Sequence, residues 1–170
     1  MMPPARPLFA ARRPWLAPAA GVTLGIVVVA LAGMAATDLG PWYRGLAQPP
    51  WKPPDAAFGP AWTLIYLLTG IAAVRVWRRA PSSAVRARWA AALTANGALN
   101  VFWSWLFFKA RRPDWALAEV AILWLSVLLL VLLARAVDTT SAWLLAPYLA
   151  WVAFAAALNA AVVALNGPFA

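Results

Sequence analysis

Hydrophobic residues are concentrated in five runs along the chain, and short polar stretches separate these runs. Each run approaches the roughly 20 residues with which a helix crosses the hydrocarbon core of a bilayer. Backbone groups in lipid must be hydrogen-bonded within their own segment, and the alternating pattern of barrel strands is absent. The predicted helices are 15–37, 61–77, 89–108, 115–134 and 142–165. We therefore expect an all-α integral membrane bundle of five transmembrane helices.

The longest connection follows the first predicted helix and is called here the Trp/Pro loop, residues 38–60. Its central part, from Trp42 to Pro54, contains two tryptophans, one tyrosine and four prolines. Prolines restrict the backbone, so this long loop is expected to be structured. A simple connector between helices needs none of these side chains. The composition therefore indicates a lid or a wall of a binding site.

The composition narrows the possible solvent and chemistry. Only 11% of the 170 residues are charged, against roughly 25% in soluble domains, so lipid is the expected solvent. Cysteine and histidine are both absent from the sequence. This excludes disulfides and thiolate chemistry and removes the commonest metal ligands. We expect no metal site and no required cofactor. The net charge of +9 lies mostly at the ends of apolar runs, which favours contact with anionic lipid over nucleic acid.

The basic residues also predict an orientation, because cytoplasmic loops carry an excess of Lys and Arg. With five helices, nine basic residues share the side of the N-terminus: Arg6, Arg12, Arg13, Arg75, Arg78, Arg79, Arg86, Arg88 and Arg135. Five lie on the other side: Arg44, Lys52, Lys109, Arg111 and Arg112. This predicts a cytoplasmic N-terminus, with the Trp/Pro loop outside. The expected location is a bacterial cell envelope membrane.

The N-terminal region has two interpretations. Residues 1–14 form a basic, Pro-rich extension that is expected to be disordered, before a membrane domain of residues 15–166. Arg12-Arg13 followed by an apolar run also resembles a signal peptide, whose cleavage would leave four helices. The run exceeds the usual 7–15 apolar residues of such a peptide. This length favours a permanent first helix.

Few polar residues lie inside the apolar runs. Asn96, Asn100 and Ser104 are spaced by four and share one face of the third predicted helix. They either hydrogen-bond between helices or contact a ligand. Glu119 is expected to reach the interface, or to pair with a basic residue such as Lys109 or Arg112, rather than to relay protons. Asp138, which precedes Thr139-Thr140-Ser141, is expected to begin a cap of the fifth helix.

Tryptophan occurs 12 times. Those near helix ends fit an interfacial belt, whereas Trp62, Trp103, Trp124 and Trp151 lie deeper in the predicted helices. These four either pack in the bundle or offer stacking surface to a flat apolar ligand. Gly21 and Gly25 form a GxxxG pattern, which predicts a helix contact within the chain or a dimer face.

Three separated blocks occur in the order and spacing of a known family. They are Trp42-Tyr43, Leu46, Pro49, Trp51, Pro53-Pro54, Phe58, Trp62 and Tyr66; then Asn96, Asn100, Trp103-Ser104 and Phe107-Phe108; then Ala142-Trp143, Pro147-Tyr148, Trp151, Phe154-Ala155 and Leu158-Asn159. With these residues the chain resembles the TspO/MBR family of tryptophan-rich sensory proteins, which includes the mitochondrial translocator protein or peripheral benzodiazepine receptor. The resemblance covers residues 15–166.

The resemblance implies a five-helix bundle, commonly a homodimer, that binds tetrapyrroles such as protoporphyrin IX. Family members also bind isoquinoline carboxamide and benzodiazepine drugs, and some bind cholesterol. By motif position, the implied pocket is lined by Tyr43, Trp62, Asn100, Trp103, Trp151, Ala155 and Leu158. Trp62 and Trp151 would stack on the ligand, with the Trp/Pro loop as lid. The family's sterol motif needs a Tyr followed by Arg or Lys, and Leu158–Asn166 has neither.

The expected function is therefore a membrane sensor or translocator that binds porphyrins or other flat apolar molecules as ligands. One alternative, implied by some bacterial relatives, is light-dependent porphyrin degradation that uses Trp62 and Trp151. No acid–base pair or phosphate-binding loop supports another enzyme class. The other alternative is a structural membrane protein without a small-molecule ligand.

Overall fold

The computed structural model describes residues 16–169, which form six α-helices and no β-strand. Each predicted apolar segment falls in one of five long helices, whereas a short helix in the Trp/Pro loop was not predicted. The start of the first predicted helix at residue 15 and the extension 1–14 lie outside the described residues. The helices are α1 (Leu16–Ala36), α2 (Pro41–Gly45), α3 (Phe58–Arg79), α4 (Ser83–Ser104), α5 (Pro113–Val137) and α6 (Thr139–Asn166). A 3-10 turn (Asp55–Ala57) precedes α3, and a π-helical turn (Trp105–Lys109) follows α4.

Four helices, α1, α3, α5 and α6, are long and apolar enough to cross a membrane. Helix α4 has 22 residues, as α3 does, but it is more polar. Its first turns carry Arg86 and Arg88, and Asn96 and Asn100 lie deeper in the helix. Length and hydropathy together thus support four membrane spans among the described residues, rather than the expected five.

Local hydrogen bonds fix the helix ends that face away from the Trp/Pro loop. Ser82 precedes α4, and its hydroxyl accepts a hydrogen bond from the Val85 backbone N–H at 3.3 Å. Asp138 separates α5 from α6 and accepts from the Ser141 backbone N–H at 3.2 Å, which confirms the predicted cap. The same carboxylate accepts from Nε of Arg75 at 2.9 Å. The end of α3 is therefore tied to the turn between α5 and α6.

The core of the bundle lies along α5 and α6. Val127, Leu130, Leu145 and Val152 are buried to 1% exposure or less. In contrast, the only buried residue of α1 is Ala36. Burial of apolar side chains is the main source of packing contacts, so α5 and α6 form the firm part of the molecule and α1 is held more lightly.

Helix α1 meets the rest of the bundle closely at two glycines. A Cβ added to Gly70 would lie 2.9 Å from Cδ1 of Ile26, and one added to Gly97 would lie 2.8 Å from Cγ2 of Val29. Both distances are shorter than a van der Waals contact between carbon atoms. A side chain at Gly97 would therefore push against the short, branched Val29, whereas one at Gly70 would displace only the flexible end of Ile26.

The predicted helix contact at Gly21 and Gly25 is wrong within the chain. A Cβ at either glycine would meet no atom within 4 Å. The contact is made the other way round, because α3 and α4 supply the glycines and α1 supplies the side chains. The dimer face at Gly21 and Gly25 stays a prediction.

The expected environment of Glu119 is also wrong. The side chain is only 5% exposed, and neither carboxylate oxygen has a hydrogen-bond partner among the described residues. Arg112 instead pairs with Asp114, with 2.8 Å between Nε and Oδ1. Glu119 lies on the same inward face of α5 as Ala116 and Val120, so its carboxylate is directed into the bundle rather than to the interface.

Candidate ligand-binding site

A cavity of about 510 Å³, called here the aromatic cavity, lies between the long helices and the Trp/Pro loop. This volume falls in the range of about 300–1,000 Å³ that small-molecule sites occupy. Helices α1, α3, α4 and α6 supply most of the wall, and the loop and the π-helical turn after α4 supply the rest. The lining residues are Ala30, Gly33, Met34, Thr37, Leu39, Tyr43, Asp55, Phe58, Gly59, Trp62, Thr63, Tyr66, Asn100, Trp103, Ser104, Phe108, Trp151 and Ala155.

The structure brings six of the seven predicted site residues together around this cavity: Tyr43, Trp62, Asn100, Trp103, Trp151 and Ala155. Leu158 lies one turn beyond Ala155 on α6 and does not line the cavity; its side chain is partly buried elsewhere. Residues from four separate elements thus converge on one space. Their role as ligand contacts stays a prediction.

Trp62 and Trp151 form the aromatic floor of the cavity. Their ring centroids are 6.4 Å apart, at an interplanar angle of 79°, which is the edge-to-face geometry that aromatic pairs prefer. Trp62 also stacks on Tyr66 at 5.4 Å and 29°, and Phe58 packs against Trp151 at 5.6 Å and 73°. Both tryptophans are therefore held in position by other rings.

The polar stripe of α4 makes hydrogen bonds to other helices. Tyr148 donates its hydroxyl proton to Oδ1 of Asn96 at 3.1 Å, and it accepts from Nδ2 of Asn100 at 3.3 Å. Asn96 also donates to Ser126 at 2.8 Å. These contacts confirm the prediction of bonding between helices. Asn100 and Ser104 line the aromatic cavity as well, so the two interpretations of the stripe are compatible.

Asn159 fixes the ring of Trp103. Its Oδ1 accepts from Nε1 of Trp103 at 3.2 Å, and its Nδ2 donates to the Pro113 carbonyl at 2.8 Å. The Asn159 side chain is 1% exposed. This amide thus joins α4, α5 and α6 directly behind the cavity wall.

Aromatic side chains attach the Trp/Pro loop to the turn after α4 and to the middle of α6. The π-helical turn after α4 presents Phe107 and Phe108, whose ring centroids lie 6.2 Å from Trp42 and 5.6 Å from Tyr43, respectively. Trp51 contacts Phe154 of α6 edge to face at 5.8 Å. The loop is thus anchored by rings from both sides of the cavity mouth.

Polar contacts complete this attachment. The Asn166 side chain forms two hydrogen bonds with Ala47: Oδ1 accepts from the backbone N–H at 2.8 Å, and Nδ2 donates to the carbonyl at 2.9 Å. Tyr43 donates its hydroxyl proton to Asp55 at 3.0 Å, and Lys52 pairs with the same carboxylate. Burial raises the pKa of the Tyr43 phenol, so this hydroxyl remains a donor at neutral pH.

Sequence reasoning missed several residues that line the cavity. Tyr66 lies four positions after Trp62, so helical spacing places both on one face of α3 and could have identified it. Phe108 depends on the π-helical turn, and Asp55 depends on the folding of the loop. Neither has a local sequence signal that directs it to the cavity.

The structure therefore defines a class: an all-helical membrane protein with an aromatic, loop-covered cavity. A profile of the TspO/MBR family matches residues 19–165. The chain is similar to the Tryptophan-rich protein TspO of Archaeoglobus fulgidus, with 36% identity over 84% of this chain and 93% of that protein. It is also similar to the human Translocator protein, with 35% identity over 85% and 82% of the two chains. The Tryptophan-rich sensory protein of Cereibacter sphaeroides is 38% identical over 74% and 77%.

The chain belongs to the TspO/MBR family, so the resemblance drawn from its sequence is confirmed. Members of this family are membrane-embedded sensor or translocator proteins. The four apolar helices therefore lie in the lipid bilayer.

Proposed function

We propose that this protein binds tetrapyrroles of the protoporphyrin IX or haem type in the aromatic cavity and acts as a sensor or translocator for them. The supporting observation is the pairing of Trp62 with Trp151 in a cavity under an anchored loop. The names of its relatives, sensory protein and translocator protein, are in keeping with both roles.

The chemistry of the wall suits a flat apolar ring with polar edges. Trp62 and Trp151 present π-faces and edges for offset or edge-on contact. Asn100 and Tyr43 supply polar groups on other sides of the cavity. Lys52, whose Nζ lies 5.6 Å from the centre of the Tyr43 ring and pairs with Asp55, is a basic residue of the loop that could meet a ligand carboxylate.

The membrane arrangement that we propose has five spans, with α4 as the fifth. Only residues 80–82 connect α3 to α4, so α4 must run in the direction opposite to α3. Its 22 residues extend about 33 Å at 1.5 Å per residue, close to the roughly 30 Å of the hydrocarbon core. We propose a cytoplasmic N-terminus in a bacterial cell envelope membrane, since the short turn 80–82 is flanked by arginines.

Titration of protoporphyrin IX into detergent-solubilised protein tests the proposed ligand. We expect saturable quenching of Trp fluorescence and a shift of the porphyrin absorbance band. Because each aromatic contact contributes about 0.5–1.5 kcal/mol beyond buried area, Trp62→Phe and Trp151→Phe should each raise Kd roughly 2- to 10-fold. Trp143→Phe is the matched control, since Trp143 is 73% exposed and lies outside the cavity.

The absorbance titration decides the outcome, because it does not depend on how many tryptophans remain. The proposal fails if binding is not saturable, or if the two cavity variants bind as tightly as the Trp143→Phe control.

Light-dependent porphyrin degradation is the second candidate function. The observation that favours it is the direct contact of Trp62 and Trp151 within one cavity, where an excited ligand would lie against both rings. The test is to illuminate the complex and to follow the loss of porphyrin absorbance. Loss no faster than with free porphyrin plus an unrelated membrane protein would exclude this activity.

A structural protein without a small-molecule ligand is the remaining alternative. A ligand that binds only the native state raises the apparent melting temperature by mass action. A thermal-shift panel of porphyrin, haem and sterol therefore separates the candidates, and a flat response together with a stable homodimer would favour the structural role.

A further inference from the structure

A second and larger cavity, called here the lateral cavity, lies between α1 and the pair α3 and α4. Its volume is about 680 Å³, and it is lined from Ala17 to Val29 along α1 and from Trp89 to Asn100 along α4. Twelve helical steps of 1.5 Å make the α1 wall about 18 Å long. The lateral cavity is therefore elongated along the helices, and no residue of the Trp/Pro loop lines it.

The lateral cavity is open to the membrane. Gly21 and Gly25 line it and are exposed, and a Cβ at either position would meet no atom within 4 Å. Val28 lines it and is 56% exposed, so the cavity reaches the outer face of the bundle. Protein interiors are close-packed, with few voids larger than a water molecule. A space of this size beside lipid can therefore admit a molecule from the bilayer.

The lateral cavity has a buried hydroxyl group in its wall. Thr69 lines the cavity and is 8% exposed, and its hydroxyl has no hydrogen-bond partner among the described residues. A buried hydroxyl without a partner is costly. A ligand hydroxyl at this position would accept a hydrogen bond from Thr69.

We propose that the lateral cavity binds a long-chain alcohol, with its hydroxyl at Thr69 and its hydrocarbon tail directed toward Trp77 and Trp89. Thr69 lies on the middle turns of α3, and the two tryptophans lie near the turn between α3 and α4. A phospholipid would keep its charged head at the interface and bring a methyl group to Thr69. Only an amphiphile with a small polar end satisfies both ends of the cavity.

Two glycines of α1 provide a matched test. Gly25 lines the lateral cavity and Gly33 lines the aromatic cavity, and a Cβ at either one meets no atom within 4 Å. Gly25→Leu and Gly33→Leu each place the same side chain on the same helix, but each fills a different cavity. The probe is hexadecanol that carries a photoreactive diazirine, added to the full chain in phospholipid nanodiscs and mapped by mass spectrometry of the labelled peptides.

We expect the probe to label peptides of α1 and α4 in the unmodified protein and in Gly33→Leu. Labelling should fall at least about tenfold in Gly25→Leu. Unlabelled hexadecanol should compete, whereas hexadecane should compete poorly. Thr69→Val keeps the shape of the side chain and removes its hydroxyl, so it should weaken competition by the alcohol about threefold to tenfold and leave competition by the alkane unchanged.

Three results would overturn the assignment: equal labelling in Gly25→Leu and Gly33→Leu, equal competition by hexadecane and hexadecanol, or labelling that disappears when a crosslinked second copy covers α1. If Gly25→Leu does not fold, the effect of Thr69→Val on the two competitors decides the question. The assignment does not depend on porphyrin binding, because photolabelling by the hexadecanol probe measures binding to the lateral cavity directly.

Discussion

The two hydrogen bonds between Asn166 and Ala47 should control how often the Trp/Pro loop opens. They join the last residue of α6 to the loop at 2.8 and 2.9 Å across 119 positions of sequence. Asn166→Leu keeps a side chain of similar size and removes both bonds. Each hydrogen bond contributes about 0.5–1.5 kcal/mol net, so the pair contributes about 1–3 kcal/mol. Because Ala47 is exposed, water replaces part of the lost hydrogen bonding. The lower end of this range, about 1 kcal/mol, is therefore the expected loss.

A loss of about 1 kcal/mol raises the population of the open loop about fivefold. Proteolysis tracks that population when opening and closing are fast. Trypsin can cleave after Arg44, whereas Lys52 is followed by proline. We therefore expect cleavage after Arg44 to be about fivefold faster in Asn166→Leu, with faster hydrogen exchange of the Ala47 amide. Leu165→Ala is the control, since Leu165 is 53% exposed and should leave both rates unchanged.

The reasoning about this loop would be refuted in two ways. Unchanged cleavage and exchange would show that the aromatic anchors alone hold the loop closed. Equally accelerated exchange in the loop and in the core amides of α5 would show that the substitution destabilises the whole bundle rather than the loop. A local effect should leave the melting temperature nearly constant.

Two further predictions concern buried contacts. Asn159→Leu leaves the ring nitrogen of Trp103 without its acceptor, which should reduce the free energy of unfolding by about 1–3 kcal/mol. The melting temperature should fall by about 2–4 °C per kcal/mol. An unchanged melting curve would contradict this prediction. Gly97→Val forces its new side chain against Val29, which should displace α1 and reduce the free energy of unfolding by about 1–3 kcal/mol. Gly21→Val is the control and should leave stability nearly unchanged. Equal effects of the two substitutions would contradict the close contact at Gly97.

The positions of the long helices could be predicted because their signal is local. Apolar runs, arginines at the end of α3 and the Asp138 cap act within a few residues of each helix. The described helices extend a few residues beyond most predicted segments, for example α4 from Ser83 rather than residue 89. The arginines in the first turns of α4 interrupt the apolar run there, so the hydropathy pattern did not show where the helix begins. At a membrane surface a helix can include polar residues that an apolar run does not.

The aromatic cavity could be predicted in part. The resemblance placed six of its lining residues correctly around one space, since their spacing within each block follows helical geometry. The contacts of Asn159 and Asn166 could not be predicted, because these partners are 46 or more positions away. The GxxxG pattern of α1 was misleading for a similar reason: small residues permit a close approach, but they do not show which helix approaches.

The distribution of packing across the bundle suits a protein that takes up ligands from a membrane. The tightly packed core lies in α5 and α6, where Leu145 and Val127 are fully buried, and these helices carry or support the floor of the aromatic cavity. The elements that separate the cavities from the surroundings lie outside this core: α1 borders both cavities and contacts the bundle closely at Gly70 and Gly97, and the Trp/Pro loop covers the aromatic cavity. Segments with few buried contacts open at low free energy. Because Asn100 lines both cavities, movement of α1 changes access to each of them while the stacking floor stays in place.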